Sequence, residues 1–217
     1  MGTPTRPAGR SRLYDEKLEL VLTSGARVIS REGYGQATIR QVAAEAGISL
    51  AGLYHYVSSK EELLFKIQFH TFEGILERLK LKLEGLEDPV ERLRVTARNH
   101  LEHFLARMDD LKVCARELES LSGDYYEKVR ALRQDYLRVV LEIVESISKQ
   151  SGNSKIQPRL GTLYLFGMLN WIYMWHPGQE DTPGELLADQ LVTLFLEGYL
   201  PRDGQATHAE KEDRGHV

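Results

Sequence analysis

The stretch TIRQVAAEAGISLAGLYHYVSSK, residues 38–60, decides how the chain is read. Two short helical pieces flank a break at Gly47. Thr38 stands where an N-cap belongs for the first piece and Ser49 for the second, because a hydroxyl there accepts a hydrogen bond from an otherwise unpaired backbone N–H. Two short helices joined by a turn containing Gly make a helix-turn-helix. Val42 and Ala43 are small and apolar, so the second helix can approach closely, and Ile48 and Leu53 close the small core. The second piece then exposes Leu50, Ala51, Gly52, Tyr54, His55 and Tyr56. Such a helix enters the DNA major groove with its N-terminal residues against base edges. Small residues let the backbone near the duplex, while Tyr54, His55 and Tyr56 carry groups that reach phosphates. Thr38, at a helix N-terminus, and Lys60, near the start of the next helix, are natural phosphate partners. The plainer alternative is a small helical core with incidental tyrosines; it leaves the coincidence of these features unexplained.

Outward from this stretch, nearly every segment reads as helix. Upstream, Leu18, Leu22, Ala26 and Ile29 share one face of a helix over about 14–32, and Gly33 is a natural left-handed cap. Residues 1–13 read as a flexible basic arm. Downstream, Ser59-x-x-Glu62 is a capping box that opens a long helix. Asp88-Pro89 opens another, since Pro is favoured in a first turn. Further helices follow at about 111–121, 125–149, 157–175 and 183–200, the last opened by a second capping box, Thr182-x-x-Glu185. The final two are the most apolar. Alternating strand-like runs are absent. The expected architecture is all-α: a three-helix DNA-binding head over 14–60, a helical body over 61–200 and a disordered polar tail over 201–217.

Composition agrees. The chain has 217 residues, 42% hydrophobic and 28% charged, as in ordinary globular proteins of one or two domains. Disordered chains, collagen-like repeats and membrane channels are excluded. No apolar run approaches the ~18 residues a membrane span needs, and the polar N-terminus does not read as a secretory signal. Cys114, the single cysteine, cannot form an internal disulfide, so a cytoplasmic setting is expected. Net charge is −4, but residues 1–60 carry +3 and the remainder −7. A basic first quarter attracts phosphate backbones.

Catalytic chemistry finds no foothold. Cys114 has no CxxC partner and no evident base. His100-x-x-His103 puts two imidazoles on neighbouring helix faces, but the Glu-x-x-His motif of di-iron bundles is missing. The expectation is no enzyme activity, no metal and no cofactor.

Residues 26–64 resemble the DNA-binding domain of the TetR family of bacterial transcriptional regulators. The resemblance rests on Gly33-Tyr34, Thr38-Ile39, Val42-Ala43, Ala46-Gly47-Ile48-Ser49, Gly52-x-Tyr54-x-Tyr56 and Ser59-Lys60-Glu61-Glu62-Leu63. It covers about a fifth of the chain and departs from the family's common Phe at Val57. It implies phosphate contacts from Thr38, Tyr54, His55 and Lys60, and base-edge contacts from Arg40, Leu50, Ala51 and Tyr56. It also implies an all-helical homodimer on a near-palindromic double-stranded operator, with the acidic remainder binding a small molecule and holding the dimer together.

A second resemblance lies in Asn170-Trp171-x-x-x-Trp175, Pro177-Gly178 and Pro183-x-Glu185-Leu186. It is similar to a subgroup of that family controlling fatty-acid, sterol or aromatic-acid catabolism, whose members often respond to acyl-CoA thioesters; His176 stands where Tyr is usual. Trp171 and Trp175 share a face. They could wall a pocket for an acyl chain or sit in a dimer interface. Arg94 and Arg98, with His100, His103 and Arg107 nearby, could meet CoA phosphates, although such runs are usually a solvated helix face. Phe104 and Asn170 complete the candidate ligand set. The sequence therefore reads as a repressor released from its operator by a small hydrophobic effector. The long helix from Ser59 is the expected transmitter between head and body. A DNA-organising or adaptor protein of the same fold, without an inducer, is the alternative.

Overall fold

A computed structural model describes residues 8–151, 157–176 and 182–197. Among them every regular element is helical. The first seven residues, the Pro177-Gly178 pair, most of the 150–154 loop and the 201–217 tail lie outside the described residues.

The head comprises α1 (Ala8–Glu32), α2 (Ile39–Glu45) and α3 (Leu50–Leu53). α1 starts at Ala8, inside the stretch expected to be an arm. Beyond Pro7, nothing but Gly9 there disfavours a helix. Gly33 ends α1 with φ +78° and Gly47 makes the turn after α2 with φ +65°, conformations that suit glycine best. Thr38 caps α2 through a full capping box: its hydroxyl accepts from Gln41 N–H, and the Gln41 side chain accepts from Thr38 N–H. Ser49 caps α3 by accepting from Gly52 N–H.

α4 (Lys60–Leu83) runs from the head into the body. Ser59 accepts from Glu62 N–H at 3.0 Å, but Glu62 turns one residue further back, to the N–H and hydroxyl of Ser58. The sequence capping box is thus half-formed and shifted by one. Burial alone would raise the Glu62 pKa, yet these bonds and Lys66 hold it down to about 2. α1 and α4 cross where Gly25 sits; a Cβ there would stand 2.9 Å from the buried Leu63 side chain.

The body is built from α5 (Pro89–Ala106), α6 (Met108–Arg116), α7 (Gly123–Ser151), α8 (Pro158–Asn170) and α9 (Gly184–Glu197), with short 3-10 turns at Leu118–Ser120 and Trp171–Met174. α5 starts where Asp88-Pro89 places it, with Asp88 accepting from Val90 and Glu91 N–H. α6 lies about three residues earlier than its apolar pattern suggests, and Asp109 and Asp110 occupy its first turn, as the helix dipole favours. α8 tightens into a 3-10 turn at Trp171 rather than running on to Trp175, a common way for a helix to end. α7 packs on α4, α5 and α8, and α5 packs on α9. One apolar core runs unbroken from Val21, Ala26 and Ile29 in the head to Val140, Leu165 and Val192 in the body. No described helix is long and apolar enough to cross a membrane.

Candidate functional site

Two features stand out: an exposed face on the head and a cavity in the body. On the head, Thr38, Arg40, Ser49, Ala51, Tyr54 and His55 are exposed, and Leu50, Gly52 and Tyr56 are partly covered. Tyr54 keeps 51% of its surface open. Arg40 makes no ion pair among the described residues, whereas Arg27 and Arg31 are drawn to Glu45 and Glu32. Leu50 packs partly against the core. The Tyr56 ring lies 5.1 Å from that of Tyr14, so its body is structural and its edge open.

Lys60 departs from its expected place. Its ammonium donates to the carbonyl oxygens of Tyr34, Gly35 and Ala37 at 2.8, 3.3 and 3.0 Å, and lies 4.5 Å over the Tyr34 ring. Three donors meet three acceptors, which leaves no proton for a phosphate. Lys66 does similar work nearby, donating to Tyr56 O and pairing with Glu62.

The cavity, about 310 Å³, lies among α4, α5, α6, α7 and α8. One end is aromatic: Phe104, Tyr136 and Phe166 surround His100, and Phe72 adds a further ring to the lining. Arg130, Arg133 and Gln134 of α7 line the more open side. Arg133 donates to Cys114 O at 3.0 Å and stacks over Phe72.

Of the ligand residues expected from sequence, Phe104 and Asn170 line this cavity. Four others do not. Arg98 is bound in a fork to Asp189 of α9 at 2.9–3.1 Å and joins α5 to α9. Arg94 lies outside the lining, as do Trp171 and Trp175, which are 58% and 56% exposed on the 3-10 turn and just beyond it. The tryptophans do not wall this cavity, and the second place open to them, an interface, remains. Sequence reasoning missed Arg130, Arg133, Gln134 and Tyr136; α7 simply reads as a charged amphipathic helix. His100 and His103 part company: His100 Nδ1 meets the Tyr136 hydroxyl at 3.2 Å, and His103 Nδ1 accepts from Arg78 at 2.6 Å. Burial lowers their pKa values to about 3 and about 4, so both are neutral at pH 7. Burial raises the Cys114 thiol to about 12, which makes it a poor nucleophile.

The cavity wall is also the seat of the head. α6 supplies Leu111, Cys114 and Ala115 to the lining, and the turn after it supplies Leu118. On its other side α6 meets α1: Ser30 donates to Asp109 at 2.5 Å, and Arg107 pairs with Glu19. Glu117 accepts from Tyr34 N–H at 3.2 Å, and Glu61 of α4 accepts from Ser122. Burial pushes Asp110 up to about 6 against the pull of Arg107.

Residues 21–67 match the family model for bacterial regulatory proteins of the tetR family, and residues 86–199 match the tetracyclin repressor-like C-terminal domain. The transcriptional repressor KstR2 of Mycolicibacterium smegmatis is 31% identical over 209 residues, covering 93% of this chain and 96% of its own. The fatty acid metabolism regulator of Bacillus subtilis is 21% identical, covering 82% of this chain and 93% of its own. The crystal structure of AibR with isovaleryl coenzyme A and operator DNA superposes with a TM-score of 0.72 at 27% identity, over 82% of this chain and 97% of the other.

Proposed function

Because this chain belongs to the TetR family of DNA-binding transcriptional regulators, we propose that it is a repressor whose operator grip is loosened by an acyl-CoA thioester seated in the body cavity. Arg40, Ser49, Ala51, Tyr54 and His55 form the face offered to DNA. The cavity takes the acyl group, and Arg130 and Arg133 at its open side meet the phosphates of CoA. The exposed apolar face of Leu160, Tyr164, Trp171, Met174, Leu186 and Leu194 pairs with a second copy, since large exposed apolar patches mark interfaces. Two heads then address a near-palindromic operator in successive major grooves, ~34–36 Å apart.

One observation carries the coupling. Leu118 lines the cavity, and its neighbour Glu117 holds the Tyr34 N–H at the end of α1. A ligand that moves α6 and the turn after it moves the seat of the head. α6 therefore shares the transmitting role expected of α4 alone, which contributes only Phe72 to the lining. Ligand and operator weaken each other by the same factor. AibR, solved with both isovaleryl coenzyme A and operator DNA, supports a compact acyl group as the effector. A filled interior would favour an inducer-free DNA-organising protein, and the cavity argues against that.

The test is a thermal-shift series with acyl-CoA thioesters of graded size and free CoA as control. Specific binding to the folded state raises the melting temperature. A rise that depends on the acyl group supports the proposal. No rise with any thioester overturns the effector class.

A further inference from the structure

Building on that reading, we propose that Arg133 is the positioning residue that passes ligand binding on to α6: its guanidinium clasps the last turn of that helix, and an anionic oxygen of the thioester competes for the same guanidinium. Three helices meet at this side chain. It projects from α7, donates through Nη1 to the Cys114 carbonyl oxygen of α6 at 3.0 Å, and lies 5.2 Å over the Phe72 ring of α4. It also borders the cavity. Cys114 stands in the last turn of α6, where carbonyls lack the N–H donors that a following turn supplies. Arg133 provides one. Its Nε and Nη2 have no partner among the described residues and are not sealed in the interior, so the guanidinium is open to a ligand as well as bound to the helix.

The clasp sits next to the seat of the head. Glu117 follows Cys114 by three residues, and its carboxylate accepts from Tyr34 N–H at 3.2 Å. Its carbonyl oxygen accepts from the Gln68 side chain at 3.1 Å. The end of α6 is thus pinned from α4 by Gln68 and from α7 by Arg133. Gln68 is buried and outside the cavity lining, so of the two pins only Arg133 lies within reach of a ligand. Hydrogen bonds to an ionised oxygen are roughly twice as strong as those to a neutral one, and phosphates take the guanidinium fork bidentately. A thioester phosphate at the open side draws the guanidinium off Phe72 and Cys114, and the end of α6 slackens its hold on Tyr34. Arg130 pairs with Glu127 on its own helix, so it attracts the ligand without carrying the signal.

Operator affinity in the absence of thioester tests the assignment, because a side chain that only held CoA phosphates has no influence on it. Fluorescence anisotropy is read on the full chain with a labelled operator selected from random duplexes. Arg133→Met should weaken operator binding ~5-fold or more with no thioester present, the lower end of allosteric couplings. Saturating isovaleryl-CoA should then weaken it little further. Arg133→Lys gives a second reading should the first variant fold poorly. Its ammonium keeps a point charge for phosphate but loses the flat fork that stacks on Phe72 while reaching Cys114, so operator affinity should fall while thioester binding holds. Native-state hydrogen exchange separates the clasp from general loosening: the Tyr34 amide should exchange ~5-fold or more faster in Arg133→Met while the amides of α5 keep their parent rates. Exchange quickened equally throughout would show a merely structural role and overturn the assignment. Unchanged operator affinity without thioester overturns it too, even where thioesters bind. The absence of a thermal shift with any thioester overturns the acyl-CoA reading, and the thioester as competing partner with it, even where the variants lose operator.

Discussion

Lys60 commits its ammonium to three carbonyl oxygens of the α1–α2 turn, and the part in DNA binding we propose for it is to hold the head together. Lys60→Met should destabilise the protein by about 2 kcal/mol, the scale of losing charged hydrogen bonds. It should leave the salt dependence of operator binding almost unchanged. Arg40→Ala should do the reverse, preserving the melting temperature and lowering the slope of log K against log salt by ~1 for each phosphate the side chain no longer neutralises. Unfolding curves and salt titrations of the two variants read both effects, and a reduced slope for Lys60→Met would restore it as a phosphate ligand. His100 and His103 make a second residue-scale prediction. Their folded pKa values lie below the unfolded value of 6.5, so the stability they contribute is present above pH 6.5 and is lost as pH falls toward 4 and 3. For His100 the loss at pH 5 is on the order of 2 kcal/mol. Asp110, raised to about 6, works the other way, adding stability as pH falls through 6 toward 4. Two histidines outweigh one carboxyl, so unfolding free energy should fall between pH 7 and pH 5, with His100→Phe flattening that slope. A slope unchanged in the variant would show that His100 titrates normally.

At the scale of elements, local chemistry was legible and mutual placement was not. Thr38, Gly47, Ser49 and Asp88-Pro89 announce their caps and turns because those signals act within four residues. The Ser59 box slips by one because Ser58 offers Glu62 both an N–H and a hydroxyl. Arg98 reads as part of a basic face since its partner Asp189 is 91 residues away and invisible to helical spacing. The cavity is not legible because five helices build it together. A 3.6-residue period tells which side of α7 is buried, not that Arg133 and Tyr136 border a void. The apolar pattern of α6 points late, although Asp109 and Asp110 signal its true start. That helix carries the next prediction. Glu117→Ala removes the acceptor of Tyr34 N–H and should reduce the coupling between thioester and operator about fivefold, within the range seen for linking residues. Thioester affinity in the absence of DNA should change little. Binding of each ligand alone and together measures it, and undiminished coupling would clear Glu117 of the role.

At the scale of the molecule, the head and body share one core, so a change in the cavity has a mechanical route to the DNA-facing residues. The same scale governs assembly. Tyr164→Arg with Trp171→Arg puts two cations on the exposed apolar face of α8 and the turn beyond it, which should convert a dimer to monomers in sedimentation velocity and cost most of the operator affinity. A variant that remains dimeric would move the interface elsewhere. The central claim, that cavity and head are two ends of one coupled device, is tested most directly by fluorescence anisotropy. Labelled operator, isolated by selection from random duplexes, is titrated with protein in saturating thioester and again in free CoA. The account predicts operator binding weakened by roughly 5- to 150-fold with the thioester, and thioester binding weakened by the same factor when operator is saturating. Unchanged operator affinity at full occupancy of the cavity would contradict it.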